Sequence, residues 1–205
     1  MEDVLDLYAE HEDPQRPRVC FDECPYQLIS EVRQVVPAQP GKRERHDYEY
    51  KREGSCNLFL FVRPHVGWRH VKVTERRTSK DFAQCMKDLV DVHFPEATVI
   101  RVVLDNLNTH TPAALYQAFE PAEARRIARK LEFHYTPKHG SWLNMAEIEI
   151  GVLMAQCLGR RIPKTEIVQR EVTAWETERD AKQVTIDWRF TTSDARLKLE
   201  RLYPS

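Results

Sequence analysis

The sequence predicts a mixed α/β fold: a five-stranded sheet, three antiparallel strands followed by two parallel ones, flanked by helices. Two observations carry this. Strand-like runs come first in a group and then alternate with helix-patterned segments, an order that joins hairpin connections to crossover connections. The run at 99–104, Val-Ile-Arg-Val-Val-Leu, is short and almost wholly apolar, as expected of a strand covered on both faces. At 205 residues the chain is long enough for one sizeable core, or for a core with a peripheral arm.

Residues 1–17 begin with an acidic amphipathic turn or two (Val4, Leu5, Leu7, Tyr8) and run into E-D-P-Q-R-P, so they read as an arm or linker. Residues 18–21 form a short strand ending at Asp22. From 26 to 53 the sequence is polar and broken by Pro37, Pro40 and Gly41, which predicts a long excursion. Strands at 57–62 and 68–74 flank Arg63-Pro64-His65-Val66-Gly67, a hairpin connection. Thr78 or Ser79 caps a helix carrying Phe82, Cys85, Met86, Leu89 and His93 at helical spacing. After the 99–104 strand, residues 112–130 read as two helices broken at Pro121. A fifth strand occupies 131–135, and 141–158 reads as one buried helix. Helices at about 164–179 and 194–202 follow. The order of elements is ribonuclease-H-like. We divide it into an arm or linker at 1–17, a ribonuclease-H-like catalytic domain at 18–160 and a helical extension of that domain at 161–205.

Composition excludes several functions. No apolar run approaches the roughly 20 residues of a membrane span, and no basic-then-apolar leader opens the chain, so a cytoplasmic protein is expected. The five cysteines contain no C-x-x-C pair and sit mostly in apolar segments, which suits reduced thiols. There is no phosphate loop, no G-x-G-x-x-G and no G-x-S-x-G nucleophile elbow. The net charge of −1 argues against a nucleic-acid partner only on average. Six acids lie within the first thirteen residues, and setting them aside turns −1 into +5. Basic residues cluster at Lys42, Arg43 and Arg45, at Arg76 and Arg77, at 125–130 and at 160–164. Each cluster alone reads as a solvated face.

Three acids fall where this strand order can gather them. Asp22 ends the first strand, Asp105 ends the fourth, and Glu147 lies early in the buried helix. Helical stepping puts Glu147 on the face of Leu143, Ile150, Gly151, Met154 and Leu158, and points Glu149 away toward solvent or a polar rim. Glu147 is therefore the expected functional acid and Glu149 the ordinary one. A few carboxylates with a substrate phosphate suffice for hard divalent cations, and two such ions about 4 Å apart serve in-line phosphoryl transfer. Like charges around one small pocket also repel, which raises the pKa of at least one of them.

F-D-E at 21–23, L-D-N-L-N-T-H at 104–110 and T-P-K-H-G-S-W-L-N-M-A-E at 136–147 resemble the three signature blocks of DDE transposases. The likeness is to the mariner-type superfamily and, within it, to the bacterial insertion-sequence family six-thirty. E-R-R-T-S-K-D-F at 75–82 also fits, so the likeness spans about residues 4–158. It implies a bacterial, nucleoid-associated enzyme that cuts and joins DNA with Asp22, Asp105 and Glu147 as catalytic acids and metal ligands. Mg²⁺ or Mn²⁺ is the implied cofactor, two ions with DNA bound. Element ends and target DNA are the implied partners, and the active form is a homodimer. The second-to-third spacing of 42 residues exceeds that of mariner proper. Helix-turn-helix units that recognise element ends precede the catalytic part in this family, so this chain reads as a catalytic half, its recognition unit absent or on a separate polypeptide. The alternatives are a nuclease of the same fold, or a DNA-binding or oligomerising remnant.

Other polar residues have two readings each. Turn and cap work is the ordinary reading of Asn106, Asn108 and His110; shaping the pocket or touching DNA is the other. His139 and Trp142 precede Glu147, and Trp142 either fills the core or stacks on a base. Lys42, Arg43, Arg45, Arg76 and Arg77 are candidate phosphate contacts.

Overall fold

In a computed structural model of the chain, which describes residues 1–202, five strands form one sheet in the order β3-β2-β1-β4-β5. They are β1 (Arg18–Glu31), β2 (Tyr50–Arg63), β3 (Trp68–Thr74), β4 (Ile100–Leu104) and β5 (Leu131–Tyr135). β1 runs antiparallel to β2, as β2 does to β3, and the β1–β4 and β4–β5 pairs are parallel. The helices are α1 (Glu2–Ala9), α2 (Ser79–Asp88), α3 (Ala113–Ala118), α4 (Pro121–Ala128), α5 (Met145–Leu153), α6 (Thr165–Ala181) and α7 (Thr192–Lys198). No described helix is long and apolar enough to cross a membrane. The last three residues of the expected C-terminal extension, 203–205, lie outside the described residues.

Strand alternation builds two cores. Cys20, Leu58, Leu60, Val62 and Val103 point to the face covered by α1, α5 and α6, while Phe21, Phe59, Phe61, Val102 and Leu104 point to the face covered by α2, α3 and α4. Burying such a side chain contributes about 1.5–3 kcal/mol, so both faces of the central strands are strongly specified.

Local signals that need no partner came out as read. Thr78 starts α2 through a capping box with Asp81. Pro121 sits in the first turn of α4 and separates it from α3, and β3 and β5 have the expected bounds.

Four expectations are corrected. β1 does not end at Asp22: it continues to Glu31, paired with β2 through Glu31↔Tyr50. The polar residues that suggested a loop are alternate positions of a two-stranded ribbon, in which Tyr26 and Leu28 are buried and Gln27 is exposed. The excursion therefore shrinks to residues 32–49, itself folded back through the Val36–Arg45 and Gln39–Lys42 bridges.

Secondly, the acidic arm is no free arm. Val4, Leu5, Leu7 and Tyr8 of α1 are buried in the core. Its acids are taken up by the chain's own cations: Glu10 pairs with the buried Arg101 of β4, Glu12 with Arg18 and Arg63, Glu2 with Arg196 and Asp3 with His134. Arg18 and Arg101, nearly inaccessible, also donate to the backbone carbonyls of Leu7 and Arg16. Both charges are paired, as deep burial requires, although Arg18 Nε has no hydrogen-bond partner among the described residues.

Thirdly, the single helix expected at 141–158 is three pieces: a 3₁₀ turn at Ser141–Leu143, α5, and a wider π turn at Met154–Leu158. Asn144, with an extended backbone, breaks it.

Fourthly, Glu149 is fully buried and Glu147 exposed. Glu149 accepts bidentate hydrogen bonds from Arg179 of α6 at 2.8 and 3.1 Å, and its Oε1 lies 2.8 Å from Nε of Arg69, which is equally buried on β3. A glutamate can occupy an interior position when two guanidinium groups meet it there. The periodicity of 141–158 misassigned the faces because the helix starts later and because its buried acid has partners from distant elements.

The outer edge of the sheet is closed in the same region. α6 lies along β3, where Asp180 and Glu176 accept the backbone N–H groups of Arg69 (3.1 Å) and Val71 (3.0 Å). These are donors that an edge strand otherwise leaves open.

Candidate active site

β1 and β4 are parallel neighbours with Cys20 opposite Val103, and continuing that register by two residues sets Asp22 level with Asp105. Asp105 follows the last residue of β4, at the end of the sheet where the chain must turn. Glu147 arrives from the first turn of α5. Its placement depends on Asn144, fully buried, whose Oδ1 caps α5 by accepting from Ala146 N (3.1 Å). The same side chain's Nδ2 donates to the carbonyl of Phe21 (2.8 Å), the residue before Asp22. One amide thus fastens the start of the Glu147 helix to the strand carrying Asp22. Tyr8 of α1 adds a second tie, its hydroxyl donating to Leu143 O at 2.8 Å.

The three acids are electrostatically coupled. Burial raises the Asp22 pKa; the backbone N–H of Glu23, donating at 2.9 Å, partly offsets this, and the negative charges of Glu23, Asp105 and Glu147 raise it further, to about 7. The expected repulsion thus contributes at Asp22, behind burial.

Asp105 is held differently. Its Oδ1 accepts a 2.6 Å hydrogen bond from Nδ1 of His110, and Leu107 N lies at 3.4 Å. His110 is buried, edge-on to Phe21 and tilted against Phe82 (centroids 5.3 and 4.9 Å). Its Nε2 lies 2.8 Å from Glu23 Oε2, off the line of a regular hydrogen bond. Burial disfavours a charged imidazole, but the contacts to Asp105 and Glu23 outweigh it and lift the pKa to about 9. The carbonyl of His110 accepts from the Tyr135 hydroxyl at 2.8 Å. The His110 ring is thus enclosed by Asp105, Glu23, Phe21 and Phe82 and is not exposed at the surface.

Beside Asp105 opens a cavity of about 360 Å³, lined by Asn106, Leu107, Thr136, Pro137, Lys138, His139 and Ser141. His139 adopts φ 63°, a left-handed conformation uncommon outside glycine and found disproportionately at functional sites. Asn106, Asn108, Lys138 and His139 are exposed here, and Lys138 has no ion-pair partner among the described residues. Trp142 does not fill the core: it is 44% exposed and meets Phe190 edge-on at 5.4 Å. Arg77 reaches to 3.8 Å from Glu23, and Arg76 is exposed beside it. Lys42, Arg43 and Arg45 lie exposed on the 32–49 hairpin and pair with none of the three acids. A larger cavity, about 640 Å³, lies between the outer part of β1 and Arg160–Arg161 and has no carboxylate in its lining.

The donor set suits a hard divalent cation, since Asp22, Asp105 and Glu147 offer only oxygen. Among the described residues no three His, Cys, Asp or Glu side chains are placed to hold an ion by themselves, so water and a substrate phosphate would have to complete the coordination of a divalent cation here.

Sequence reasoning missed Glu23 and Asn144 as site residues. For Glu23 the signal was the strand's period of two, which puts it on the face of Phe21, inside the core. For Asn144 no periodic signal exists, because its role is a single contact across 123 residues.

Residues 17–169 match the family described as DDE superfamily endonuclease. No curated protein matches the chain. Among solved structures, it superposes on the Mos1 mariner paired-end complex with Mn at a TM-score of 0.58 and 18% identity, covering 88% of this chain and 54% of that one. It superposes on the Mos1 strand transfer complex at a TM-score of 0.54 and 16% identity, covering 88% and 52%. The chain spans about half the length of these structures, and the likeness extends the ribonuclease-H-like fold to it.

Proposed function

The chain belongs to the DDE superfamily of endonucleases, and from that premise we propose that it is the catalytic part of a transposase, cutting DNA strands and joining the freed 3′-hydroxyl ends to target DNA. The observation that carries the reading is the electrostatic coupling of Asp22 with Asp105 and Glu147, with a cavity lined by Lys138 and His139 beside Asp105.

Asp22, Asp105 and Glu147 hold the metal. Mg²⁺ or Mn²⁺, when bound, supplies charge stabilisation at the attacking and leaving oxygens of an in-line displacement. Lys138 and His139 stand on the cavity wall where a phosphodiester beside Asp105 needs a counter-charge. Arg76, Arg77 and the cations of the 32–49 hairpin guide the flanking backbone without reading sequence. Element ends and target DNA are the substrates, two copies of the chain form the active assembly, and a helix-turn-helix unit supplies end recognition. The matched complexes with paired ends and with a strand-transfer product support this reading, as does the Mn in one of them.

The test is nicking and strand transfer on a labelled duplex with Mg²⁺ or Mn²⁺. Activity that is lost in Asp22→Asn, Asp105→Asn and Glu147→Gln and retained in a variant folded around an altered surface residue such as Glu44→Gln bears the proposal out. Cutting without joining indicates a same-fold nuclease, and absence of both in the wild-type chain indicates a remnant.

A further inference from the structure

Glu23 and His110 form a buried pair that the proposed chemistry does not consume. His110 is 1% exposed and the Glu23 side chain is equally enclosed, with Phe21 and Phe82 against the imidazole. An apolar side chain would fill that space at lower cost, since two ionisable groups there must be desolvated. Packing therefore does not account for them. What the imidazole does reach is Asp105, by the short 2.6 Å bond to Oδ1, while Glu23 stands at its far nitrogen. Asp105 sits just past the end of β4, without the ladder that holds Asp22, and among the described residues its other hydrogen bond is the long one from Leu107 N. Asp105 lines the 360 Å³ cavity, and its hydrogen bonds among the described residues all go to Oδ1.

We propose that Glu23 and His110 are positioning residues that fix the side chain of Asp105, occupying Oδ1 so that Oδ2 alone is presented to a divalent cation. This rests on the reading of Asp105 as a metal ligand. Glu23 sets the tilt of the ring, the ring sets the carboxylate, and the aromatic walls prevent either from turning. Partners of this kind behind a metal-binding group are worth about 10–100-fold in metal affinity.

The experiment titrates Mn²⁺ into the full chain without DNA and follows the free-ion signal by electron paramagnetic resonance, with circular dichroism and thermal melts to establish folding. His110→Phe keeps the shape and removes the donor: Mn²⁺ affinity is expected to fall about 10–100-fold. His110→Asn restores a donor near the Nδ1 position and is expected to recover most of that loss. Glu23→Gln removes the charge behind the ring and is expected to fall between wild type and His110→Phe. In nicking assays the His110→Phe defect lies in kcat at low metal, with KM for DNA unchanged, because the ring touches no DNA. A folded His110→Phe with wild-type Mn²⁺ affinity, or a His110→Asn no better than it, overturns the proposal and leaves the imidazole a packing group. Should His110→Phe fail to fold, Glu23→Gln decides, and wild-type affinity there overturns it. A wild-type chain that binds no Mn²⁺, indistinguishable from Asp105→Asn, overturns instead the reading of Asp105 as a ligand and the positioning role with it.

Discussion

Replacing Glu149 by leucine removes the counter-charge from two guanidinium groups, one of them fully buried. Arg179 loses both its carboxylate hydrogen bonds and, among the described residues, keeps a long contact to Gln156 and the face of Trp175. Arg69 loses its 2.8 Å neighbour but retains Asp180 at 2.7 Å and the carbonyl of Val184 at 2.6 Å. Breaking a buried pair costs about 3–5 kcal/mol. Because Asp180 still neutralises Arg69, the lower end applies, about 3 kcal/mol. For a chain of this size each kcal/mol moves the melting temperature by about 2–4 °C, so a fall of about 6–12 °C is expected. Glu147→Gln, at an exposed position two residues away, stays within about 0.5 kcal/mol of wild type while losing nicking activity. Differential scanning calorimetry and a nicking assay on the same preparations separate the two glutamates. A Glu149→Leu protein that melts within about 2 °C of wild type would refute the buried-pair reasoning. Retained cleavage in Glu147→Gln would refute the assignment of the acids.

Three further outcomes follow from the geometry. Asp22 has a folded pKa near 7 against an unfolded value of about 4, so the native state binds its proton more tightly and the stability this group contributes falls as pH rises between those values. In chelator, Asp22→Asn should melt above wild type at pH 8, with the gap closing toward pH 4; a gap independent of pH would remove the electrostatic explanation. Gly67 has φ 71°, and a Cβ there would meet the backbone carbonyl carbon of Gln183 at 2.5 Å, so Gly67→Ala should lower the melting temperature by several degrees, and an unchanged melt would mean that the turn is not seated on the end of α6. Replacing Lys42, Arg43 and Arg45 together by alanine should reduce the slope of log binding against log salt by up to about 3, since each phosphate contact contributes about 0.9; an unchanged slope would show that the hairpin does not touch DNA.

The elements that were legible in the sequence are those governed by local chemistry: the capping box at Thr78, the break at Pro121, the short strands β3 and β5, and the acid at the end of β4. Less legible were features whose cause lies far along the chain. The outer half of β1 alternates only over a short stretch, with Tyr26 and Leu28 buried and Pro25 and Gln27 exposed, so its alternation is a weak signal. The docking of α1 is accompanied by pairing of the acids just after it, Glu10 and Glu12, with Arg101, Arg18 and Arg63, and acidity alone reads as solvation. Glu147 and Glu149 differ by 200° on a helix wheel, but which face is interior is decided by Arg69 and Arg179, 80 and 30 residues away. The three acids were named because each lies in a quotable block; Glu23 and His110, brought together only by folding, were not read as a unit.

The seal that α6 places on β3 bears on how the protein can be trimmed. The family match stops at residue 169, one turn into α6 and short of Trp175, Glu176, Arg179 and Asp180. A fragment cut there would strip the backbone caps from Arg69 and Val71, leave Glu149 and Arg69 without their other partners, and present an open strand to other molecules, the condition under which sheets stack and precipitate. Removing residues 1–16 as well would uncover Cys20 and Leu143 behind Tyr8. The stretch that declares the ancestry of this sequence and the smallest piece that can be expected to stay in solution are therefore not the same length.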